Sequence, residues 1–374
     1  MTTGIITMFY NSTNYGGILQ AYALVRTLEK LGIEAEQIRY DNFSASSFVR
    51  RFKGKIVKYL PLIKNPIKLR YYWKIWKRVN IVKKSATRLV PHSKKIYTEK
   101  NIDRCVTSYD SFITGSDQVW YGDWPAYFLP FVPAGKKKIA YAVSTGKTNL
   151  SPRDLSVIES YTQDYTAISV RESDTAAILN KRLNDRKISI ALDPTMLLEK
   201  NDWENVVSHR IVKDSYIFCY YLGSDIRMRR LARQYSMENN LALVTIPHMQ
   251  GIIENNDIDF GDVQSFDATP EDFLSYIKYA DVIFTDSFHA CVFSQIFQKQ
   301  YFVFSRTGRK EMNNRIETLV NMLNIQRHFL QDMDKINCAK LSTIPPIDYD
   351  RVPQDFNRLK NESIEFLKKN LLNR

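Results

Sequence analysis

A chain of 374 residues is longer than one ordinary hydrophobic core serves, so two domains are expected. Its 44% apolar and 13% aromatic content exclude a disordered chain, and four scattered cysteines (Cys105, Cys219, Cys291, Cys338) with no CxxC pair leave no legible zinc site and read as small core residues of a reducing cytosol. The formal charge of +13 is concentrated: residues 44–98 hold sixteen Lys and Arg and no Asp or Glu, so +13 less +16 leaves −3 for the remainder.

The opening MTTGIITMF has no basic leader, and no stretch approaches the roughly 18 apolar residues of a spanning helix. A cytoplasmic protein is expected, either soluble or peripheral on the inner face of the membrane. Gly4–Phe9 reads as a first strand and Ile18–Leu31 as an amphipathic helix stopped by Gly32. Between them Asn11–Gly17 is a polar loop whose Asn14, Tyr15, Gly16 and Gly17 allow close backbone approach to a ligand, though the pattern is not GxGxxG. Ala35–Tyr40 completes a β-α-β unit.

Residues 44–98 interrupt this rhythm with aromatics interleaved among cations. Ile67–Val82 is expected to form a helix with one aromatic and aliphatic face and one basic face, suited to an anionic membrane surface. The slightly acidic remainder argues against nucleic acid. Alternation resumes with Asp110–Thr114, which runs into Gly115-Ser116-Asp117-Gln118 at a strand's carboxyl edge, and with Ile139–Ser144. Ser151-Pro152 is a helix start. The strand Ala167–Val170 ends in Arg171-Glu172, where an arginine suits carboxylate or phosphate and an Arg–Glu surface pair is the plain alternative. Ser173 is the expected N-cap of the next helix. Ile188–Leu192 leads to Asp193-Pro194.

A boundary near 195–212 separates a second α/β half: strands Ser215–Leu222 and Leu241–Pro247 around a basic helix Ile226–Met237, and a helix capped by Thr269. The chain then enters Asp281–Ser305. This stretch reads strand, tight turn Asp286-Ser287, helix, strand, with His289 at the turn beside a helix start that favours an anion. A lone histidine there is as readily a buried structural residue; the basic loop Arg306, Arg309, Lys310, Arg315 favours function. Pro353–Leu372 reads as a long amphipathic helix able to pack back on the body. The domains expected are 1–200, with a basic helical insertion at 44–98, and 201–350, followed by the helix 351–374.

In order, NYGGILQAYAL, FITGSDQVW, SVRES, ALDP, DSFHA and RKEMNNRIETL resemble the polysaccharide pyruvyl transferase family over about residues 4–325. The resemblance implies two Rossmann-like α/β domains facing a central cleft, similar to B-type glycosyltransferases. It also implies transfer of a pyruvyl group from phosphoenolpyruvate to a sugar as a cyclic ketal, for polysaccharide or for a lipid-linked precursor, with no cofactor and no metal. His289 carries over in a Ser-Phe-His context without an adjacent arginine, Arg171 carries over after the middle strand, and Arg315 and then Arg309 are the later basic residues. On this reading Arg171 and Arg315 bind phosphoenolpyruvate with Arg309 and Ser287. His289 serves as acid or phosphate ligand. Asp117 or Asp286 deprotonates the acceptor hydroxyl, and Asn14–Gly17, Ser116 and Gln118 line the acceptor side. Two rivals are a nucleotide-sugar glycosyltransferase of the same architecture and a non-enzymatic basic protein of the membrane surface.

Overall fold

The computed structural model describes residues 2–42, 66–121, 124–147, 149–183, 186–248, 253–306, 310–351 and 353–372, with the backbone alone at 66–70, 72 and 310–312. Arg309 and the first part of the basic segment, 44–65, lie outside the described residues. The chain divides into two units: Met1–Lys53, Ser85–Leu198 and Gln354–Arg374 make the first, and Gly54–Lys84 with Glu199–Pro353 the second.

In chain order the first unit and the basic helix contain β1 (Thr2–Ile6), α1 (Tyr15–Lys30), β2 (Glu34–Tyr40), α2 (Pro66–Leu89), β3 (His92–Tyr97), β4 (Ser111–Thr114), β5 (Lys137–Val143), α3 (Pro152–Thr162), β6 (Ala167–Val170), α4 (Ser173–Arg182) and β7 (Ile188–Ile190). The strands form one parallel sheet in the order β3-β2-β1-β4-β5-β6-β7. Short apolar runs such as SFIT and AISV, buried almost throughout, are what a sheet covered on both faces demands. The order reverses between β1 and β4, where ligands of doubly wound sheets bind outside the strand ends.

The second unit contains α5 (Lys200–Glu204), β8 (Tyr216–Tyr220), α6 (Ile226–Glu238), β9 (Ala242–Thr245), β10 (Val263–Gln264), α7 (Pro270–Tyr279), β11 (Val282–Thr285), α8 (Phe288–Ile296), β12 (Gln300–Phe304), α9 (Lys310–Met322), β13 (Phe329–Leu330) and α10 (Cys338–Ser342). Its parallel order β10-β9-β8-β11-β12-β13 repeats the first unit's pattern, with the reversal between β8 and β11. The last helix, α11 (Gln354–Leu372), groups with the first unit. There the Leu192 amide donates to Ser363 Oγ at 2.9 Å, and Phe366 meets Tyr141 at 6.2 Å between ring centroids.

Local chemistry explains most helix starts. Ser151–Asp154 and Thr269–Asp272 form reciprocal capping boxes, each with proline in the first turn. Ser173 is not a cap: Glu172 holds that position and Ser173 opens α4. The Asn11–Gly17 loop is shorter than expected, because Asn14 caps α1 by accepting from Gly17 N and Tyr15–Gly17 form its first turn.

Helix α2 departs from the expected division into an aromatic and a basic face. Tyr71, Ile75, Arg78, Val82, Ser85 and Ala86 make one buried stripe at helical spacing. Tyr71 and Ile75 pack with Ile253 and Phe266, and Arg78 donates to Pro247 O at 2.5 Å. Each of those two apolar side chains contributes roughly 2 kcal/mol by burial. The tryptophans take the opposite side, with the lysines. No helix among the described residues is long and apolar enough to cross a membrane.

Candidate functional site

The predicted site residues collect at the carboxyl edges of the two sheets, and each edge is described by itself. In the first unit, β4 pairs with β5 through Thr114 and Ala140, which brings Gly115 against Tyr141. A Cβ on Gly115 would stand 2.3 Å from Tyr141 O, and its φ of +115° is open to glycine alone. The chain turns there through a cis Gly115–Ser116 peptide, and Asp117 follows in the left-handed region at φ 72°. Aspartate tolerates that region better than most residues. Ser144 N holds the turn by donating to Asp117 O at 2.9 Å.

One α1 side chain ties this turn to the loop after β1. Gln20 Nε2 donates to Thr7 Oγ1 and Gly17 O at 3.1 and 2.9 Å, while its Oε1 accepts from Ser116 N at 3.2 Å. Thr7 Oγ1 in turn donates to Ser116 O at 2.9 Å. The sequence reading passed over Gln20, because a glutamine inside an apolar helix signals nothing until its turn is placed. Gly17 faces Asp117: a Cβ there would lie 3.5 Å from Asp117 Oδ2, an ordinary contact.

Arg171 follows Val170, which pairs with Val143 on one side and Ile190 on the other. Its side chain is buried and donates from Nη2 to Ser116 Oγ at 2.7 Å. Asp193 Oδ2 lies 3.0 Å away and Asp117 Oδ1 3.7 Å away from the same nitrogen. Ser116 Oγ passes its own proton toward Ala142 O at 2.9 Å. Asp193 is fixed on its other oxygen by Thr195 N and Thr195 Oγ1, at 2.9 and 2.6 Å. Arg171 is ion-paired with Asp193 and, at the longer distance, with Asp117; Glu172, its plain alternative partner in the sequence, accepts a short hydrogen bond from Ser144 Oγ. One guanidinium therefore faces two carboxylates. That arrangement ties Asp117, Asp193 and Ser116 to one side chain.

In the second unit β11 pairs with β8 through Thr285 and Tyr220, so the residue after Thr285 meets the loop after Tyr220. Asp286 is 0% exposed and both of its oxygens are engaged there. Leu222 N donates to Oδ1 at 2.6 Å and Gly223 N to Oδ2 at 2.7 Å. Arg306, just beyond β12, lies 3.4 Å from Oδ2 and donates twice to the Asp286 carbonyl, at 3.2 and 2.9 Å. A carboxylate so enclosed fastens two strand ends. A Cβ on Gly223 would stand 2.9 Å from Asp286 Oδ2, so the close approach depends on glycine.

Ser287 caps α8 by accepting from Ala290 N at 3.5 Å, and its own amide donates to Thr285 Oγ1 at 3.0 Å. His289 is the second residue of the helix and is buried. Its ring meets the Phe288 ring edge to face at 5.2 Å. Arg315, buried on α9, places its guanidinium 5.8 Å from the centroid of the same Phe288 ring. Asn313 Oδ1, on the same helix, accepts from Arg306 N at 3.0 Å. The structure thus gathers His289, Ser287 and Arg315 around Phe288 at a helix start. Asp286 is offset there by Arg306. Among the described residues no cluster of His, Cys, Asp and Glu stands at metal-binding distances.

Comparison with known proteins gives one sequence match and several likenesses of shape. A family model described as polysaccharide pyruvyl transferase matches residues 14–308. No curated protein matches the sequence. Among solved structures, the UDP-GlcNAc 2-epimerase of Methanocaldococcus jannaschii aligns with a TM-score of 0.51 at 11% identity, covering 97% of this chain and 99% of its own. A proposed UDP-N-acetylglucosamine 2-epimerase of Listeria monocytogenes aligns at 0.51 and 11%, covering 100% and 97%. At such identities the likeness establishes the fold alone, which is the expected α/β class of B-type glycosyltransferases and these epimerases.

Proposed function

The chain belongs to the polysaccharide pyruvyl transferase family, and on that premise we propose that it transfers the pyruvyl group of phosphoenolpyruvate to two hydroxyls of one sugar as a cyclic ketal. The observation that carries this reading is the helix start of the second unit, where Ser287, His289 and Arg315 meet around Phe288. Phosphoenolpyruvate carries close to three negative charges on a small frame. Arginine's planar fork and the first amides of a helix suit its phosphate and carboxylate.

The chemistry balances without a further reactant. A proton is added to C3 of the enol, which leaves C2 electrophilic. One sugar hydroxyl attacks C2 and loses its proton, inorganic phosphate departs, and a second hydroxyl closes the ring with loss of its proton. His289 is the proposed donor to C3 or ligand of the phosphate, since imidazole is the usual group for proton steps near neutral pH. Asp117 is the proposed proton acceptor, because Asp286 is enclosed by backbone amides and Arg306. In this reading Arg171 positions Asp117 through Asp193 and Ser116 and is not itself the donor clamp. The acceptor is a sugar of a polysaccharide or its lipid-linked precursor, met on the Asn14–Gly17, Ser116 and Gln118 side. The protein would act at the cytoplasmic face of the membrane.

The test is phosphate release from phosphoenolpyruvate with a panel of lipid-linked and nucleotide sugars, with products read by mass. Asp117→Asn is expected to lower kcat by about 10²–10⁴-fold while phosphoenolpyruvate binding by calorimetry is unchanged. Arg315→Leu is expected to abolish that binding. Turnover of UDP-sugars without phosphoenolpyruvate, or near-normal turnover of either variant, would overturn the proposal.

A further inference from the structure

Helix α2 carries a second surface that the transfer reaction does not use. Its buried stripe fixes which side faces solvent. Trp73 and Trp76, one turn apart, are 67% and 56% exposed. Their rings stand edge to face at 6.1 Å and 82°. Lys77, Asn80 and Lys84 continue the same side at helical spacing from Trp73, with Lys77 and Lys84 exposed. Lys74, beside Trp73, lies over the Phe266 ring at 4.5 Å. Asp267 lies 3.4 Å from Lys77, and both side chains are more than half exposed, so the pair is weak. The helix itself holds no Asp or Glu from Pro66 to Leu89.

Two exposed tryptophans on an acid-free basic face are costly in water and have a natural counterpart in one medium. The headgroup region of an anionic bilayer accepts indole rings at its boundary and attracts lysine and arginine from the leaflet's own negative potential. A nucleic acid would match the charge but not the geometry. The edge-to-face pair offers no platform on which successive bases stack, and the chain outside 44–98 is net negative, at −3, where a nucleic-acid protein extends its basic surface. We propose that the exposed face of α2, led by Trp73, Trp76, Lys77 and Lys84, docks the protein on anionic phospholipid bilayers. The buried stripe keeps the helix folded beforehand, so docking needs no folding transition.

The full chain is mixed with vesicles of phosphatidylcholine alone, or of phosphatidylcholine with phosphatidylglycerol, and sedimented. Binding is expected to the anionic vesicles only, and to weaken with salt. Each of Lys77→Gln and Lys84→Gln is expected to lower partition about fivefold. Trp73→Ala/Trp76→Ala is expected to abolish the quenching of tryptophan fluorescence by brominated lipid and to reduce binding at least tenfold, while turnover on a soluble acceptor is unchanged. The proposal fails if the protein ignores anionic vesicles or if the double variant binds as the parent does. It fails equally if single-stranded DNA is held more tightly than the vesicles at the same salt.

Discussion

The carboxyl edges of the two sheets share a strand order but differ in how a carboxylate is treated at the point of reversal. In the first unit Asp117 sits on a turn in the left-handed region, is 7% exposed, and faces a guanidinium that Asp193 also faces. In the second, Asp286 is fully buried and takes two backbone amides and Arg306. One edge sets two carboxylates about a guanidinium, and the other sets Ser287, His289 and Arg315 around Phe288. The same topology therefore supplies a candidate base in one place and a candidate anion site in another. What decides between them is which strand end donates N–H groups inward.

The contrast can be broken by removing each central group in turn. Arg171→Leu leaves Asp193 buried without its cation and is expected to destabilise the first unit by about 3–5 kcal/mol in urea unfolding. Arg171→Leu/Asp193→Leu should recover most of that loss; no recovery would mean that Ser116 and Asp117, not Asp193, anchor the arginine. Asp286→Ala orphans the Leu222 and Gly223 amides and is expected to cost about 2–3 kcal/mol in the second unit. A change below about 0.5 kcal/mol would show that water replaces the carboxylate there, and would return Asp286 to the list of bases. Phe288→Leu removes the ring under Arg315 and is expected to weaken phosphoenolpyruvate binding by a smaller factor, about three- to tenfold, with kcat little changed.

The mildest test is pH. Burial pushes the His328 imidazole down, against hydrogen bonds to the Tyr301 and Pro345 carbonyls that push it up. A group depressed in the folded state leaves the unfolded chain binding more protons, so stability is fully present above the ordinary imidazole value and is lost as pH falls below it. The urea midpoint of the second unit should drop between pH 7.5 and 5.5, and His328→Gln should flatten that slope.

Much of this was legible in the residues. The strand–turn–helix–strand reading of Asp281–Ser305 matches β11, α8 and β12, and the capping boxes at Ser151 and Thr269 sit where Ser-Pro and Thr-Pro place them. Local signals suffice there because the partners are three residues apart. Asp193 was read only as the residue before a helix-breaking proline, since its partner Arg171 lies a strand away and periodicity says nothing about pairs at that distance. Following each strand to its last residue in sheet order would have found it. The enclosure of Asp286 was not legible for the same reason: the Leu222 and Gly223 amides that donate to it are more than sixty residues earlier. The basic strand β3 was hidden inside a charged segment because an edge strand needs only one covered face: its Lys94, Lys95 and Ile96 stay exposed.

The return of α11 to the first unit sets an order of events during synthesis. Strand β7 leaves the ribosome long before Ser363, the acceptor for the Leu192 amide immediately ahead of Asp193. The stretch Glu199–Pro353, with every strand of the second sheet, emerges in between, so that sheet can close while the earlier one still waits for its last helix. A nascent chain halted before residue 354 should show a protease-resistant second unit and an Arg171–Asp193 region that is still open to cleavage.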